Sequence, residues 1–155
     1  MPIPDVFTKS KRSEVMSRIR SRGNKATELE LAKIFRANGI TGWRRNQPVF
    51  GRPDFVFRKQ RLAVFVDGCY WHGCPEHATK PRTNAAFWRR KFAANKARDR
   101  LVNRTLRKAG WRVLRIWEHE LRPNNRVRCL KRLRHFIDGA ASAATVSDLN
   151  RRAVY

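Results

Sequence analysis

Two thiols and two imidazoles, Cys69, His72, Cys74 and His77, fall within nine residues, directly after an apolar run over residues 62–66 that ends in Asp67. An apolar run of strand length predicts a strand buried on both faces, central in a sheet. A thiol and imidazole cluster of such density reads as metal. The chain is thereby constrained to a sheet whose central strand delivers a ligand-rich loop at its end. Cys129 makes the cysteine count three. An odd count, in a chain whose first residues lack the apolar core of a signal peptide, argues against disulfides and for a prokaryotic cytoplasm.

The rest of the chain supplies what such a sheet needs. Thr27 and Glu30 form a capping-box pattern that starts a helix, with Leu31, Ile34 and Phe35 on one face and Gly39 as its stop. Further strands are expected over residues 43–46, 54–58 and 112–117, and Gly51, Arg52 and Pro53 break the chain before the second of them. A long helix is expected over residues 84–109, ending at Gly110, and another over 125–138, closed by Gly139. This order predicts a mixed α/β sheet flanked by helices, about the size of a small nuclease core. At 155 residues the chain fits one domain, divided as a basic arm (1–25), a core (26–139) and a C-terminal tail (140–155).

Charge indicates the partner. Lys and Arg number 36 against 12 Asp and Glu, a formal net charge of +24. Of the basic residues 26 are Arg, whose planar fork suits phosphate. Nucleic acid is expected, and a membrane is not: no run is long enough to span one, and no helix pairs a basic face with an aromatic one.

The scarce acids then carry the chemistry. Asp54 opens one strand and His72 follows the next, so a hairpin can bring a carboxylate beside an imidazole, as a Mg²⁺-assisted hydrolase requires. On the long helix Trp88, Phe92, Asn95, Asp99, Val102 and Leu106 recur at steps of three and four. Asn95 and Asp99 thus interrupt an apolar face and need partners.

Gly51-Arg-Pro-Asp-Phe55, Asp67-Gly-Cys-Tyr-Trp-His72, Phe87-Trp88 with Lys91, Asn95 and Arg98-Asp99, and Gly110-Trp-Arg-Val113 through Ile116-Trp-Glu118 occur in that order. Together they resemble the very-short-patch-repair (Vsr) mismatch endonucleases over roughly residues 9–121. The resemblance implies a restriction-endonuclease-like core that nicks double-stranded DNA beside a T:G mismatch left by deamination of 5-methylcytosine. It implies that Asp54 binds catalytic Mg²⁺ together with the Val66 backbone carbonyl, that His72 is the general base, and that Glu28 and Asp99 support the site. It further implies a structural Zn²⁺ that stabilises the loop, held by Cys69, Cys74, His77 and His119, with Cys129 as the alternative to His119. Tyr70 and Trp71 match an aromatic wedge that enters the base stack, with Met16 and Ile19 as further apolar contacts. Two adjacent loop aromatics rarely both bury, so at least one should be exposed. Asp67 departs from the best-known member, which has His there, and Val66 replaces a Thr. Other mismatch-repair proteins are plausible partners by resemblance, and a monomer is expected. Two alternatives remain at this stage: a homing-type nuclease on the same core, and a zinc-stabilised nucleic-acid binder without catalysis.

Overall fold

The computed structural model describes Thr8, Ser10, residues 27–77 and residues 81–152, with side chains through Gly139. The expected DNA-contacting arm, including Met16 and Ile19, lies outside the described residues apart from Thr8 and Ser10.

Helix α1 (Glu28–Ala37) starts where the capping pattern puts it, but the Thr27 side chain makes no cap hydrogen bond. Glu28 instead faces Arg45, whose Nε donates to it at 2.6 Å. Gly39 takes a left-handed φ of 64° just past the helix. Strands β1 (Trp43–Arg44), β2 (Phe55–Phe57) and β3 (Leu62–Asp67) follow. The first two are shorter than expected for local reasons. Asn46 leaves the extended region with φ 53°. Asp54 meets β3 through its side chain, Oδ2 accepting the Val66 N–H at 2.7 Å.

Helix α2 (Ala85–Lys108), strand β4 (Arg112–Trp117), a 3₁₀ turn (Glu118–Leu121) and helix α3 (Pro123–Arg152) complete the order. Here one expectation fails: α3 continues through Gly139 instead of closing on it. An interior Gly costs about 1 kcal/mol, and the Ala-rich stretch that follows favours helix strongly enough to offset it. Among the described residues no helix is long and apolar enough to cross a membrane.

The sheet order is β1-β2-β3-β4, with β1/β2 and β2/β3 antiparallel and β3/β4 parallel. A parallel pair needs a crossover, and α2 supplies it. Side chains alternate between the two faces. Phe55, Phe57, Leu62, Val64, Leu114 and Ile116 pack with Leu31 and Phe35 of α1 and Leu133 of α3 on one side. Ala63, Phe65 and Val113 pack with Val102 and Leu106 of α2 on the other. By the same alternation Asp67 and Arg115 belong to the α2 face.

The turn before β2 is pressed onto that helix. A Cβ built on Gly51, whose φ is 77°, would lie 2.3 Å from Val102 Cγ1, whereas one on Gly39 meets nothing within 4 Å. Gly51→Ala should therefore lower stability by roughly 2–3 kcal/mol and Gly39→Ala by about 1, the second reflecting φ alone. Thermal melts of the two variants check the order. Equal losses would show that the turn yields to the added methyl group.

Candidate active site and metal centre

Four polar side chains converge where the C-terminal ends of β3 and β4 meet α2. His72 Nδ1 lies 2.7 Å from Asp99 Oδ2. A carboxylate can only accept, so Nδ1 carries the proton and Nε2 keeps its lone pair while the ring is neutral. Asp99 is one of the two polar interruptions of the α2 face. The other, Asn95, donates from Nδ2 to the Trp71 carbonyl at 2.8 Å. The two polar positions on the apolar face thus hold the loop that carries His72.

Asp67, 4% exposed, points toward the same imidazole but stops 3.8 Å from Nδ1. Its oxygens are instead engaged by Arg115 Nη1, at 2.7 and 2.9 Å. Arg115 also reaches Asp99 Oδ1 at 3.3 Å, receives support from Asn103 Oδ1 at 2.9 Å, and stacks 4.5 Å above the Phe65 ring. Residue order alone does not single out Arg115, one of 26 arginines. Its position opposite Phe65 in the β3/β4 register, on a face that must otherwise be apolar, is the signal that could have found it.

Asp54 stands at the neighbouring strand end. Its carboxyl is raised to about 6: burial pushes it up most, the negative charges of Glu28 and Asp67 add to the rise, and the Val66 N–H and the charge of Arg115 offset part of it. Glu28, 3% exposed, is therefore close enough to act on Asp54, while two nitrogens of Arg45 hold it at 2.6 and 2.5 Å. Burial alone would lower the His72 pKa, but the Asp99 hydrogen bond and the charges of Asp67 and Asp99 outweigh it, so the net shift is upward. Burial opposes ionisation of Asp99 too, yet His72, Arg115 and Arg98 hold its carboxyl below the usual range.

Cys69, Cys74, His77 and His119 form a second cluster, their donor atoms all within 4.8 Å of one another. His119 Nδ1 lies 3.3 Å from Cys69 Sγ and 3.5 Å from Cys74 Sγ, and His77 Nδ1 is 3.8 Å from Cys74 Sγ. Zinc bound at its usual Zn–S and Zn–N distances would set tetrahedral S···N edges of about 3.5 Å. The donor set fits one ion without rearrangement. Glu76 lies 3.6 Å from His119 Nε2, in the place of the carboxylate that commonly orients a ligating imidazole. Cys129 is elsewhere, buried in the α1/α3 core, where burial and the Glu120 charge push its thiol up to about 11. His119, delivered by the 3₁₀ turn, is the residue that joins the cluster.

Tyr70 and Trp71 are both half-buried, contrary to the expectation that one would be exposed. The reason lies on α2: Tyr70 packs edge-on against Trp71, Trp88 and Phe92, at centroid distances of 5.2, 5.5 and 5.6 Å. Trp88 and Phe92 thus extend the aromatic surface beyond the pair anticipated from the loop.

An imidazole–carboxylate pair and a buried second carboxylate at the sheet end, beside a thiol and imidazole cluster able to hold a metal ion, define a DNA endonuclease once the relatives are considered. The family described as DNA mismatch endonuclease Vsr matches residues 4–78. The type II nicking enzyme V.NmeDIP of Neisseria meningitidis serogroup C is 36% identical over 135 residues, covering 86% of this chain and 90% of that protein. The DNA mismatch endonuclease Vsr of Escherichia coli strain K12 is 34% identical over 146 residues, 92% and 93% of the two chains. The type II nicking enzyme V.NaeI of Lentzea aerocolonigenes is 55% identical over 69 residues, 44% of this chain, and the match spans only 42% of that protein. The chain belongs to the Vsr family.

The raised Asp54 pKa makes a stability prediction. In metal-free protein its burial is tolerated below the unfolded value near 3.8, and the cost appears as pH rises through about 6. Asp54→Asn should therefore raise metal-free stability by on the order of 2 kcal/mol at neutral pH and by nothing at pH values where both forms are neutral. Chelated samples melted across this range check it, and a gain independent of pH would refute the burial explanation.

Proposed function

We propose that the protein is a Mg²⁺-dependent nickase that hydrolyses one DNA strand beside a T:G mismatch arising from deamination of 5-methylcytosine. The observation that carries this reading is the His72–Asp99 pair at 2.7 Å, with half-buried Asp54 held on the Val66 N–H of the strand that leads to it, in a chain of net charge +24. A protein that only binds phosphate gains nothing from buried carboxylates at its ligand face, because each repels the ligand unless a cation intervenes. The mismatch substrate is supported by membership of the DNA mismatch endonuclease Vsr family and by the likeness to the mismatch endonuclease of Escherichia coli.

In this reading Asp54 and the Val66 carbonyl hold Mg²⁺. The N–H and C=O of one strand residue leave on the same edge, so the amide held by Asp54 has its carbonyl on that side too. When bound, the ion supplies a Lewis acid for the phosphate and lowers the pKa of water. His72 Nε2 takes the proton of the attacking water, Asp99 holds Nδ1–H and stabilises the charged ring, and Glu28 supports the Asp54 side. Zn²⁺ on Cys69, Cys74, His77 and His119 is structural, fastening the loop that carries His72. Tyr70 and Trp71, backed by Trp88 and Phe92, form the wedge, with Met16 and Ile19 contributing from the N-terminal arm. A T:G wobble stacks less well than a matched pair, so prying it open costs less and the wedge becomes selective. The protein acts as a monomer on DNA in the bacterial cytoplasm, where other mismatch-repair proteins are its natural partners.

Matched and T:G-mismatched duplexes incubated with Mg²⁺ or with EDTA test the activity. Nicking of one strand of the mismatched duplex, in Mg²⁺ alone, is expected. Asp54→Asn and His72→Ala should abolish it while leaving DNA binding nearly intact. The rate should rise with pH, since Asp54 must lose its proton and His72 must be neutral, and both pKa values are raised. A variant that nicks within about tenfold of the parent, a barrier change under ~1.4 kcal/mol, would refute the role assigned to that residue.

For the second metal, one zinc per chain is expected in freshly purified protein. His119→Ala should lose zinc and melt at lower temperature, whereas Cys129→Ser should keep its zinc. The opposite pattern would transfer the fourth ligand to Cys129.

A further inference from the structure

His72 has two carboxylates within reach of the same nitrogen. Asp99 Oδ2 accepts the hydrogen bond from Nδ1–H at 2.7 Å, and Asp67 Oδ1 waits at 3.8 Å. A ring that swung to Asp67 would keep a hydrogen bond of the same kind but aim Nε2 elsewhere. The imidazole does not itself favour one acid. What differs is that Asp67 has both oxygens on Arg115 Nη1, at 2.7 and 2.9 Å, whereas Asp99 receives only a longer contact from the other branch of the fork, 3.3 Å to Oδ1. That leaves Oδ2 of Asp99 free of the guanidinium and turned to the ring.

We propose that Arg115 is a positioning residue that selects the acceptor of His72: by occupying Asp67 and bracing Asp99, it directs the imidazole to Asp99 and sets the aim of Nε2. Three features suit it to the task. It is rigidly seated, with Nε on Asn103 Oδ1 at 2.9 Å and its plane over the Phe65 ring. It is on β4, opposite Phe65 in a parallel register, so its origin is fixed by the most extensive pairing in the sheet. Its planar fork can reach two carboxylates at once, which a lysine ammonium on a flexible stem cannot do with the same geometry.

Asp67 on this account is a captive anion whose charge anchors the fork. Removing Arg115 alone would free Asp67 to compete for the ring. Removing both would leave Asp99 as the sole acceptor.

The inference rests on His72 being the general base, so its test needs a readout besides nicking. The protein has four His, and ¹⁵N-labelled imidazoles report at each ring which nitrogen carries the proton and how strongly it is hydrogen-bonded. In the parent, His72 should show a protonated, strongly hydrogen-bonded Nδ1. Arg115→Met should shift or broaden that Nδ1–H signal, and should lower kcat for nicking by on the order of tenfold to a hundredfold with KM for mismatched duplex little changed. Arg115→Lys, which keeps the charge, should fall between parent and Met, and it carries the test if the Met variant does not fold. The double variant Asp67→Ala with Arg115→Met, which removes the competing acceptor altogether, should recover the parent signal and most of kcat.

An unchanged His72 signal in Arg115→Met, or full kcat in Arg115→Lys, would overturn the assignment. A double variant as inactive as Arg115→Met would overturn it too, and would make Asp67 a ligand or reactant in its own right. A His72 signal that moves as expected in a protein whose His72→Ala variant still nicks would instead retain the acceptor selection and refute the base.

Discussion

The parallel pairing of β3 with β4 is the constraint on which the rest depends. Six registered pairs run from Leu62 opposite Arg112 to Asp67 opposite Trp117. Two adjacent parallel strands cannot be joined by a turn, so the chain must leave the end of β3, cross one face as α2 and return. Most of the polar cluster lies on that excursion or at its two ends, with Asp54 and Glu28 approaching from β2 and α1. Asp67 ends β3, the Cys69–His72 loop follows, Asp99 and Asn95 ride on the crossover helix, and Arg115 returns on β4 opposite Phe65. Because side chains alternate, one face of the same two strands is core and the other becomes polar near its end.

Polarity in that position is expensive, and the surroundings show how it is met. Asp54 and Asp67 are both held above the ordinary carboxylate range chiefly by burial, and Asp54 also by its acidic neighbours. Among the described residues Arg115 reaches the middle of the cluster and Arg45 holds Glu28. Asp54 receives the Val66 amide, while among the described residues Arg115 acts on it only through its charge. Such a carboxylate is suited to a divalent cation, and the stability it forgoes is the usual cost of a working site.

The thiol and imidazole cluster does a different job. Residues 68–77 make turns and few ladder hydrogen bonds, with Cys74 N–H donating to the Cys69 carbonyl at 3.0 Å and His72 N–H to the Gly68 carbonyl at 3.2 Å. A loop of that kind is weakly held by its own backbone. Donors from two separate segments, the loop and the 3₁₀ turn after β4, meet there, His119 Nδ1 lying 3.3 Å from Cys69 Sγ and 3.5 Å from Cys74 Sγ. Arg132 of α3 bonds both the Glu120 carboxylate and the Arg115 carbonyl, so the helix steadies the same turn from outside.

Residue order alone determined the elements and the donors. Strand β3 and strand β4 have the bounds that their apolar patterns predict, and α2 begins and ends within a residue of its expected limits, because local propensity and periodicity are properties of short segments. The same periodicity marked Asn95 and Asp99 as polar groups needing partners, while local density marked Cys69, Cys74 and His77, and scarcity of acids marked Asp54. It could not say which partners. The unclosed Thr27 cap, the passage of α3 through Gly139, the choice of His119 over Cys129 and the shielding of both loop aromatics by Trp88 and Phe92 are outcomes of packing between distant segments. Arg115 is the clearest case. In the sequence it is one of 26 arginines, and only the register that sets it beside Asp67 and Asp99 distinguishes it from the others, because a charge acquires a role from what lies within a few ångströms of it.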